Sequence, residues 1–483
     1  MWWTAAFFVF FCFVGFGNAQ TDTGVGGLLP ESDSDRIAEL EYVREKLNDY
    51  RNQRADEVTA ELGEQVNPET ESVDEPLEKS ATIPEINENL SDYLYQGDIL
   101  LTPSQVNDLS ARAKRQANKD SMFPKNRWQR QGFNEGFIPF TFHSSLPEGV
   151  RTKIRQAIKF WEENTCFKFK ENGAGTPRIE FFHGRGCFSY IGKLFYQNMQ
   201  QISIGQGCDH FAIITHEIGH ALGFFHEQSR NDRDEFIGLN LQNVDRGMIH
   251  NYDRKKRDEN ENYGLPYDYG SAMQYGEDAF SINHNQAVMI ARDPLHQHTM
   301  GARIAPSFLD VLMMNTHYQC HDLCKRYNTV CQNSGFANPN NCHNCICPWG
   351  YGGRNCERRD SGLNATATCG ADLQAGADWS TLEASVGRAA DSKERHDHCH
   401  WHIKAPAGRK VLIQIENIDG PCSHSCTARN VEFKMKADVR NSGYRMCCNQ
   451  QGQGRQLSSE TNVAIVSAYA RDSQKFQISY RYY

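Results

Sequence analysis

The stretch HEIGHALGFFH places three histidines and a glutamate at a spacing that could hold a metal ion. Positions i and i+4 lie on one face of an α-helix, so His216 and His220 can offer two imidazoles to one ion, with Glu217 beside them. Gly223 can take the left-handed conformation that ends a helix, which would return His226 as a third ligand. Three imidazoles leave an open coordination position, as in catalytic zinc sites. The sequence therefore predicts one Zn²⁺ whose bound water gives its proton to Glu217.

A bare H-E-x-x-H can arise by chance, and the alternative is then two histidines on the surface of a helix. The added G-x-x-H makes that alternative far rarer.

Elements that could position the site precede it. The spacing of Ile154, Ile158 and Trp161 predicts an amphipathic helix packed under a sheet. The segments RIEFFH and QISIG predict short strands that lead into a helix from Phe211. A sheet edge would suit an extended peptide.

The N-terminus and the cysteines indicate export from the cell. Residues 5–17 form an apolar run with small residues at a cleavage position after residue 19, which predicts a secretory signal peptide, residues 1–19. An N-terminal anchor is the alternative, but the run is too short to span a bilayer. Of 17 cysteines, Cys12 would leave with the signal, and the even remainder suits disulfides in an oxidising compartment. We expect a secreted, extracellular protein without a transmembrane segment.

The segment 20–115 carries the negative charge of the chain. It holds 22 acidic and 9 basic residues, a net charge of -13. Because the net charge of the whole chain is -9, the rest of the chain carries a net charge of +4. Its DRIAELEYVREKLNDYRNQ stretch has helical spacing and could dock on a partner. The segment ends in an R-x-K-R cluster at Arg115, which in an exported chain favours cleavage by a convertase-like protease over an exposed basic loop.

The zinc-binding pattern is followed by Met273 in the stretch SAMQY, and this combination resembles the metzincin peptidases and their Met-turn. The stretches HEQSRNDRD and GCFSYIG are similar to the astacin branch, including its secreted nematode members. The similarity runs from about Trp128 to Cys320. It implies an α/β (α+β) zinc metalloendopeptidase in which a cleft lies between a sheet-bearing half and a mostly irregular half.

The resemblance also implies roles for individual residues. His216, His220 and His226 would bind zinc, and Glu217 would act as general base and then as general acid. Tyr275 would stabilise the oxyanion; the alternative is a plain core tyrosine. Glu227 would receive the new N-terminal ammonium after cleavage.

One position departs from the family pattern. Gln274 stands where the family usually has histidine, which could alter the neighbouring geometry without removing a metal ligand.

The stretch YQGDI resembles the motif whose aspartate occupies the position of the zinc-bound water in astacin precursors, so Asp98 is expected to keep the enzyme latent. A simple Gly-Asp turn is the alternative.

Within the protease domain, the resemblance implies the pairs Cys166–Cys320 and Cys187–Cys208; spacing alone does not choose them.

The two tail segments resemble modules of secreted astacins. The ending C-x-C-P-x-G-x-x-G-x-x-C resembles an EGF-like module, which implies the pairs Cys324–Cys342, Cys331–Cys345 and Cys347–Cys356; a zinc knuckle is the alternative. No acidic preface to its first cysteine is present, so no calcium is expected there. The alternating stretches after Cys369 predict an all-β sandwich similar to a CUB domain, with Cys369–Cys399 paired. The pairing of Cys422, Cys426, Cys447 and Cys448 stays open.

Two further features lie in these outer segments. The stretch HDHCHWH could bind a metal, but we favour a histidine-rich surface loop. Asn89 and Asn364 stand in glycan-acceptor patterns. The predicted organisation is a signal peptide, an acidic propeptide, a protease domain, an EGF-like module and a CUB-like domain, at residues 1–19, 20–115, 116–320, 321–360 and 361–483.

Two functions fit this organisation. The first is a secreted zinc endopeptidase, made as a zymogen, that hydrolyses extracellular protein substrates such as matrix proteins. The second is a weakly active or inactive matrix-binding or adhesion protein. The intact Glu217 and ligand histidines favour the first, and Gln274 keeps the second open. No nucleic-acid motif or strong basic patch is present, so no nucleic-acid partner is expected.

Overall fold

The structure is a computed structural model that describes residues 28–29, 34–61, 82–112, 126–129, 136–257, 259–283, 286–363, 369–387 and 395–483. The predicted signal peptide, Arg115 and Asn364 lie outside the described residues. Among the described helices, none has the length and apolar character needed to cross a bilayer.

The described residues of the N-terminal and central part form six α-helices and nine strands, besides several short 3₁₀ helices. The helices are α1 (Ser34–Glu61), α2 (Ile83–Ile86), α3 (Pro103–Arg112), α4 (Glu148–Asn164), α5 (Phe211–Ala221) and α6 (Phe308–His317). The strands are β1 (Leu94–Tyr95), β2 (Ile99–Leu100), β3 (Ile138–Phe142), β4 (Phe169–Glu171), β5 (Arg178–Phe182), β6 (Cys187–Tyr190), β7 (Met199–Ile204), β8 (Ile237–Leu239) and β9 (Met289–Ala291).

Seven of these strands form one mixed sheet in the order β1-β2-β6-β7-β5-β3-β4. The apolar faces of α4 and α5 pack on it through a buried core that includes Ile158, Trp161, Ile214 and Phe181. The apolar spacing predicts α4 and these strands, because the buried stripe of α4 must be covered by the sheet. The sheet therefore fixes α5, the helix that carries His216.

The acidic N-terminal segment packs against the central part of the chain. The β1–β2 hairpin joins the sheet, and β2 runs parallel to β6, with Ile99 opposite Ser189. Helix α1 lies on the 3₁₀ helix Arg246–Tyr252 and on α3. Arg54 Nε donates to Asp253 Oδ1 at 2.9 Å. The partner of this helix is therefore the chain itself.

The C-terminal part is built of short strands and one helical turn. The strands are β10 (Phe336–Asn338), β11 (Asn341–Ile346), β12 (Tyr351–Gly352), β13 (Arg358–Arg359), β14 (Ala371–Gln374), β15 (Ser380–Gly387), β16 (Asp397–Lys404), β17 (Val411–Asp419), β18 (Arg429–Lys434), β19 (Tyr444–Met446), β20 (Gln456–Ser458), β21 (Val463–Ala470) and β22 (Ser473–Tyr482), with helix α7 at Asn449–Gly452.

Strands β14 to β22 form two stacked sheets, in the orders β14-β16-β21-β18-β19 and β15-β22-β17-β20. Alternate residues such as Ile413, Ile415, Val466 and Ile478 fill the space between them. This confirms the expected all-β tail. It also corrects one expectation: HDHCHWH is not a surface loop, since most of it forms β16, where His400 and His402 are buried.

Eight disulfides cross-link the described residues. Six are the pairs expected from the sequence, and the four cysteines left open pair as Cys422–Cys448 and Cys426–Cys447. The six are Cys166–Cys320, Cys187–Cys208, Cys324–Cys342, Cys331–Cys345, Cys347–Cys356 and Cys369–Cys399.

Candidate metal centre

The three histidines converge because α5 ends at Ala221, directly after the second of them. His216 and His220 lie one turn apart on this fully buried helix. Gly223 has a φ of +107°, a conformation that disfavours side-chain-bearing residues, and its N–H donates to the His220 carbonyl at 2.8 Å. The chain then turns back, and the His226 ring centroid lies 5.3 Å and 4.7 Å from those of His216 and His220.

A hydrogen bond at Nδ1 orients each imidazole. His216 Nδ1 lies 2.8 Å from the Ala272 carbonyl oxygen, and His220 Nδ1 lies 2.6 Å from that of Phe224. His226 Nδ1 lies 3.1 Å from Gln96 Oε1. Since all three partners are acceptors, each Nδ1 carries the proton and each Nε2 keeps a lone pair.

The three Nε2 atoms face the carboxylate of Asp98. Asp98 Oδ2 lies 3.1 Å from His216 Nε2 and 3.2 Å from His226 Nε2, and Oδ1 lies 3.3 Å from His220 Nε2. The Nε2 atoms of His216 and His220 are 3.0 Å apart.

This donor set fits a zinc ion. Tetrahedral ligands held about 2.0–2.1 Å from zinc lie about 3.3 Å from one another, close to the spacing found here. Without a cation, three lone pairs and a carboxylate would face each other in a buried site, which is unfavourable.

Burial controls the ionisation of the histidines. It lowers the pKa of His216 to about 3 and that of His226 to about 4, so both imidazoles are neutral, the form that binds metals.

Glu217 lies beside the ligands and is shielded from solvent. Burial and the nearby charge of Asp98 raise its pKa well above the ordinary value. Neither of its carboxylate oxygens has a hydrogen-bond partner among the described residues. Such an unpaired buried carboxyl is unusual in a structural role and common at catalytic sites.

Met273 and Tyr275 lie below and beside the histidines. Met273 Sδ would lie 3.3 Å from a Cβ added at Gly219, so this glycine lets the turn at Met273 approach α5 closely. The Tyr275 ring centroid lies 4.5 Å from that of His226, and its hydroxyl donates to the Gln96 carbonyl. Burial raises the pKa of Tyr275 well above its ordinary value, so the hydroxyl keeps its proton.

Gln274 and Glu227 make contacts away from the ligand nitrogens. Gln274 Oε1 accepts a hydrogen bond from the Tyr267 hydroxyl at 2.5 Å. Glu227 Oε1 accepts from the Asp268 N–H at 2.9 Å and pairs with Arg230 Nη1 at 3.1 Å. Burial raises the pKa of Glu227 to about 7.

Three residues contribute to this centre in ways that the sequence did not indicate. Gln96 contacts both His226 and Tyr275. Lys255 Nζ donates to the Tyr95 hydroxyl at 2.9 Å. Gly97 has a φ of +75°, and an added Cβ would meet Phe280 Cζ at 2.8 Å. The sequence YQGDI indicates a turn at Gly97, but it does not indicate that Phe280 and Tyr275 pack against this turn.

A cavity of about 530 Å³ opens beside His226. Its lining residues include Ile191, Phe225, Glu227 and Tyr263. It is large enough to receive side chains of a peptide that runs along the cleft.

Comparisons with known proteins agree with this geometry. The family model for the astacin peptidases matches residues 123–319. Zinc metalloproteinase nas-31 of Caenorhabditis elegans is 36% identical over 417 residues, which cover 83% of this chain and 65% of that protein. Zinc metalloproteinase nas-27 of the same organism is 34% identical, with 80% and 90% covered.

A solved structure of high choriolytic enzyme 1, a hatching enzyme zinc-protease from Oryzias latipes (medaka fish), is 30% identical and has a TM-score of 0.39. The match covers 42% of this chain and 99% of that one. The family match and the identity to nas-27 over nine-tenths of its length show that the chain belongs to the astacin family of zinc metalloendopeptidases.

Proposed function

We propose that this protein is a secreted endopeptidase made as a latent precursor, and that Asp98 keeps it latent until the segment ending at Arg115 is removed. The observation that carries the proposal is the position of Asp98, whose carboxylate faces the Nε2 atoms of His216, His220 and His226 at 3.1–3.3 Å. A carboxylate is an acceptable zinc ligand, so it would exclude water from the open position.

His216, His220 and His226 would hold the zinc ion, which when bound lowers the pKa of a water molecule and polarises the scissile carbonyl. Once Asp98 leaves, Glu217 loses the negative charge that helps to raise its pKa. Its carboxylate can then accept a proton from the attacking water and deliver it to the leaving amine. The buried Tyr275 hydroxyl, released from the Gln96 carbonyl, can donate to the developing oxyanion.

The acidic segment also blocks the edge where a substrate would bind. Strand β2 pairs with β6 at Ser189 and Tyr190, and an extended substrate could use the same edge after the segment leaves. Cleavage after Arg115 would free the N-terminus of Gln116. The resemblance to astacins implies that this ammonium reaches Glu227, which lines the cavity beside His226.

The tail modules would bring the protease to its extracellular protein substrates. Three disulfides with the 1–3, 2–4, 5–6 order support an EGF-like module at 321–360. The two stacked sheets support a CUB-like domain at 361–483. Asn89 is exposed, as a glycan acceptor must be.

The catalytic proposal is tested with the processed protein and casein. Activity should be abolished by a chelator, restored by zinc, and lost in Glu217→Ala while the zinc content stays unchanged. Equal cleavage by Glu217→Ala and the wild type would contradict the role of this carboxylate.

Latency is tested with Asp98→Ala in a precursor whose cleavage is blocked by Arg115→Ala. The Asp98 variant should cleave a peptide substrate without processing, and Asp49→Ala, which changes an exposed carboxylate on α1, should stay silent. A silent Asp98→Ala precursor that gains full activity once its prosegment is removed would contradict the proposal.

A further inference from the structure

A second group of metal-ligating side chains lies between the cysteine-rich module and the tail sandwich. Strand β16 alternates: Cys399, Trp401 and Ile403 face the core of the sandwich. His398 and His402 point the other way, and their rings contact Trp349 and Tyr351 of the cysteine-rich module, with centroid distances of 6.3 Å and 4.9 Å.

Two histidines of β16 and one carboxylate of the cysteine-rich module converge on one point. One ring nitrogen from each of His398 and His400 and one carboxylate oxygen of Asp360 lie within 4.8 Å of one another. Asp360 belongs to the cysteine-rich module, and its N–H donates to the Gly350 carbonyl at 2.9 Å. Two donors therefore come from one module and the third from the other. We refer to His398, His400 and Asp360 as the joint cluster.

The hydrogen bonds of the two imidazoles suit ligation. His398 Nδ1 lies 3.4 Å from the His396 carbonyl oxygen, and His400 Nδ1 lies 2.7 Å from Ser467 Oγ. The tautomer with a proton on both Nδ1 atoms satisfies these contacts and leaves the Nε2 lone pairs for an ion.

His402 shows what a purely structural histidine looks like on the same strand. Its Nε2 lies 2.9 Å from the Gly350 carbonyl oxygen, so this nitrogen already has a partner across the joint. In contrast, the ring of His398 lies against that of His400, with centroids 5.2 Å apart, and near the carboxylate of Asp360. Packing alone would not require a carboxylate and two imidazoles to converge.

We propose that the joint cluster is a Zn²⁺ site that holds the cysteine-rich module against the tail sandwich. Two imidazoles and one carboxylate form a donor set that zinc uses in proteins. Tetrahedral ligands held about 2.1 Å from one ion lie about 3.4 Å apart. The ligand atoms of the joint cluster lie within 4.8 Å of one another, so the side chains would close by up to about 1.4 Å when an ion binds.

The surroundings suit a bound ion. Aromatic rings of Trp349 and Tyr469 lie beside His398, with centroid distances of 6.3 Å and 5.7 Å, and limit the access of water. His398 and Asp360 keep some exposure, which gives an ion a way in. The site is separate from His216, His220 and His226, and it does not depend on the catalytic proposal.

The test counts zinc in the full secreted chain. The protein is stripped with a chelator, titrated with ZnCl₂ against a competing zinc indicator, and melted with and without zinc. Wild type should bind two zinc ions per chain, and His398→Ala should bind one. The affinity of the second site should fall by at least about 10–100-fold, the loss that even outer-shell changes cause. Zinc should also raise the melting temperature of the wild type more than that of the variant.

His402→Gln, on the same face of β16, is the matched control and should keep two zinc ions. Asp360→Asn, a conservative change of a partly exposed side chain, serves if His398→Ala does not fold, and should lose the second ion as well. One zinc ion per wild-type chain at saturation, or two ions in both ligand variants, would overturn the proposal. Casein cleavage by the processed protein should be the same in His398→Ala and in wild type.

Discussion

Helix α1 offers a way to test the proposed latency without touching the metal centre. Leu47 on this helix is fully buried and packs in one apolar cluster with Val43, Tyr95 and Ile99. Tyr95 and Ile99 flank the turn that carries Asp98. We therefore expect Leu47→Ala to loosen the acidic segment as a whole, because the lost side chain supports the hairpin that carries Asp98.

The size of the effect follows from the burial of Leu47. Buried Leu→Ala changes cost about 2.7–5 kcal/mol. Most of this cost falls on the docked state, since the cluster lies between α1 and the hairpin. At about 1.4 kcal/mol per factor of ten, the population with a detached segment should rise at least about 100-fold.

The assay measures the initial rate of peptide cleavage by a precursor that also carries Arg115→Ala and cannot be processed. The background is the same protein with Glu217→Ala. Asn48→Ala, on the exposed face of α1, is the matched control and should leave the rate unchanged. If the Leu47→Ala and Asn48→Ala precursors cleave the peptide at the same rate, packing of Leu47 on α1 does not contribute to latency.

Three further predictions concern single contacts. Gly97→Ala should make the unprocessed precursor partly active, because the alanine Cβ would meet Phe280 Cζ at 2.8 Å and the φ of +75° disfavours a side chain. The rate of peptide cleavage by the precursor measures this activity. Because burial raises the pKa of Glu227 to about 7, the protonated side chain stabilises the fold fully below about pH 4.3, and this contribution is lost as the pH rises to about 7. The urea concentration at the unfolding midpoint should therefore fall less between these pH values in Glu227→Gln than in the wild type. A pH dependence unchanged in Glu227→Gln would contradict this. Replacing Cys166 and Cys320 by serine opens a closure of 154 residues and should lower the free energy of unfolding by about 5 kcal/mol in the chain-entropy view, as measured in urea; a loss below about 1 kcal/mol would contradict it.

The metal centre could be predicted from the sequence because its geometry is local. His216 and His220 share a helix face by helical periodicity alone, and Gly223 marks the place where that helix ends. The strands and α4 could also be predicted, since their apolar residues repeat with the periods of a strand and a helix.

Other features depend on contacts between distant parts of the chain. The four histidines of HDHCHWH suggested a surface loop, yet the alternation of Cys399 and Trp401 with them is a strand pattern. The second face of this strand is buried only because the cysteine-rich module covers it. Likewise, nothing in the sequence near Lys255 or Gln96 indicates that these residues meet Tyr95 and Tyr275.

The docking of α1 and of the β1–β2 hairpin bears on what happens after the cut at Arg115. Scission there would remove a covalent tether but would leave every contact of Leu47, Tyr95 and Asp98 in place. The excised peptide would then be a tight competitive ligand of its own enzyme, and full activity would await its dissociation. Diluting a freshly cut sample should therefore speed the appearance of activity, and adding the peptide back should reverse it.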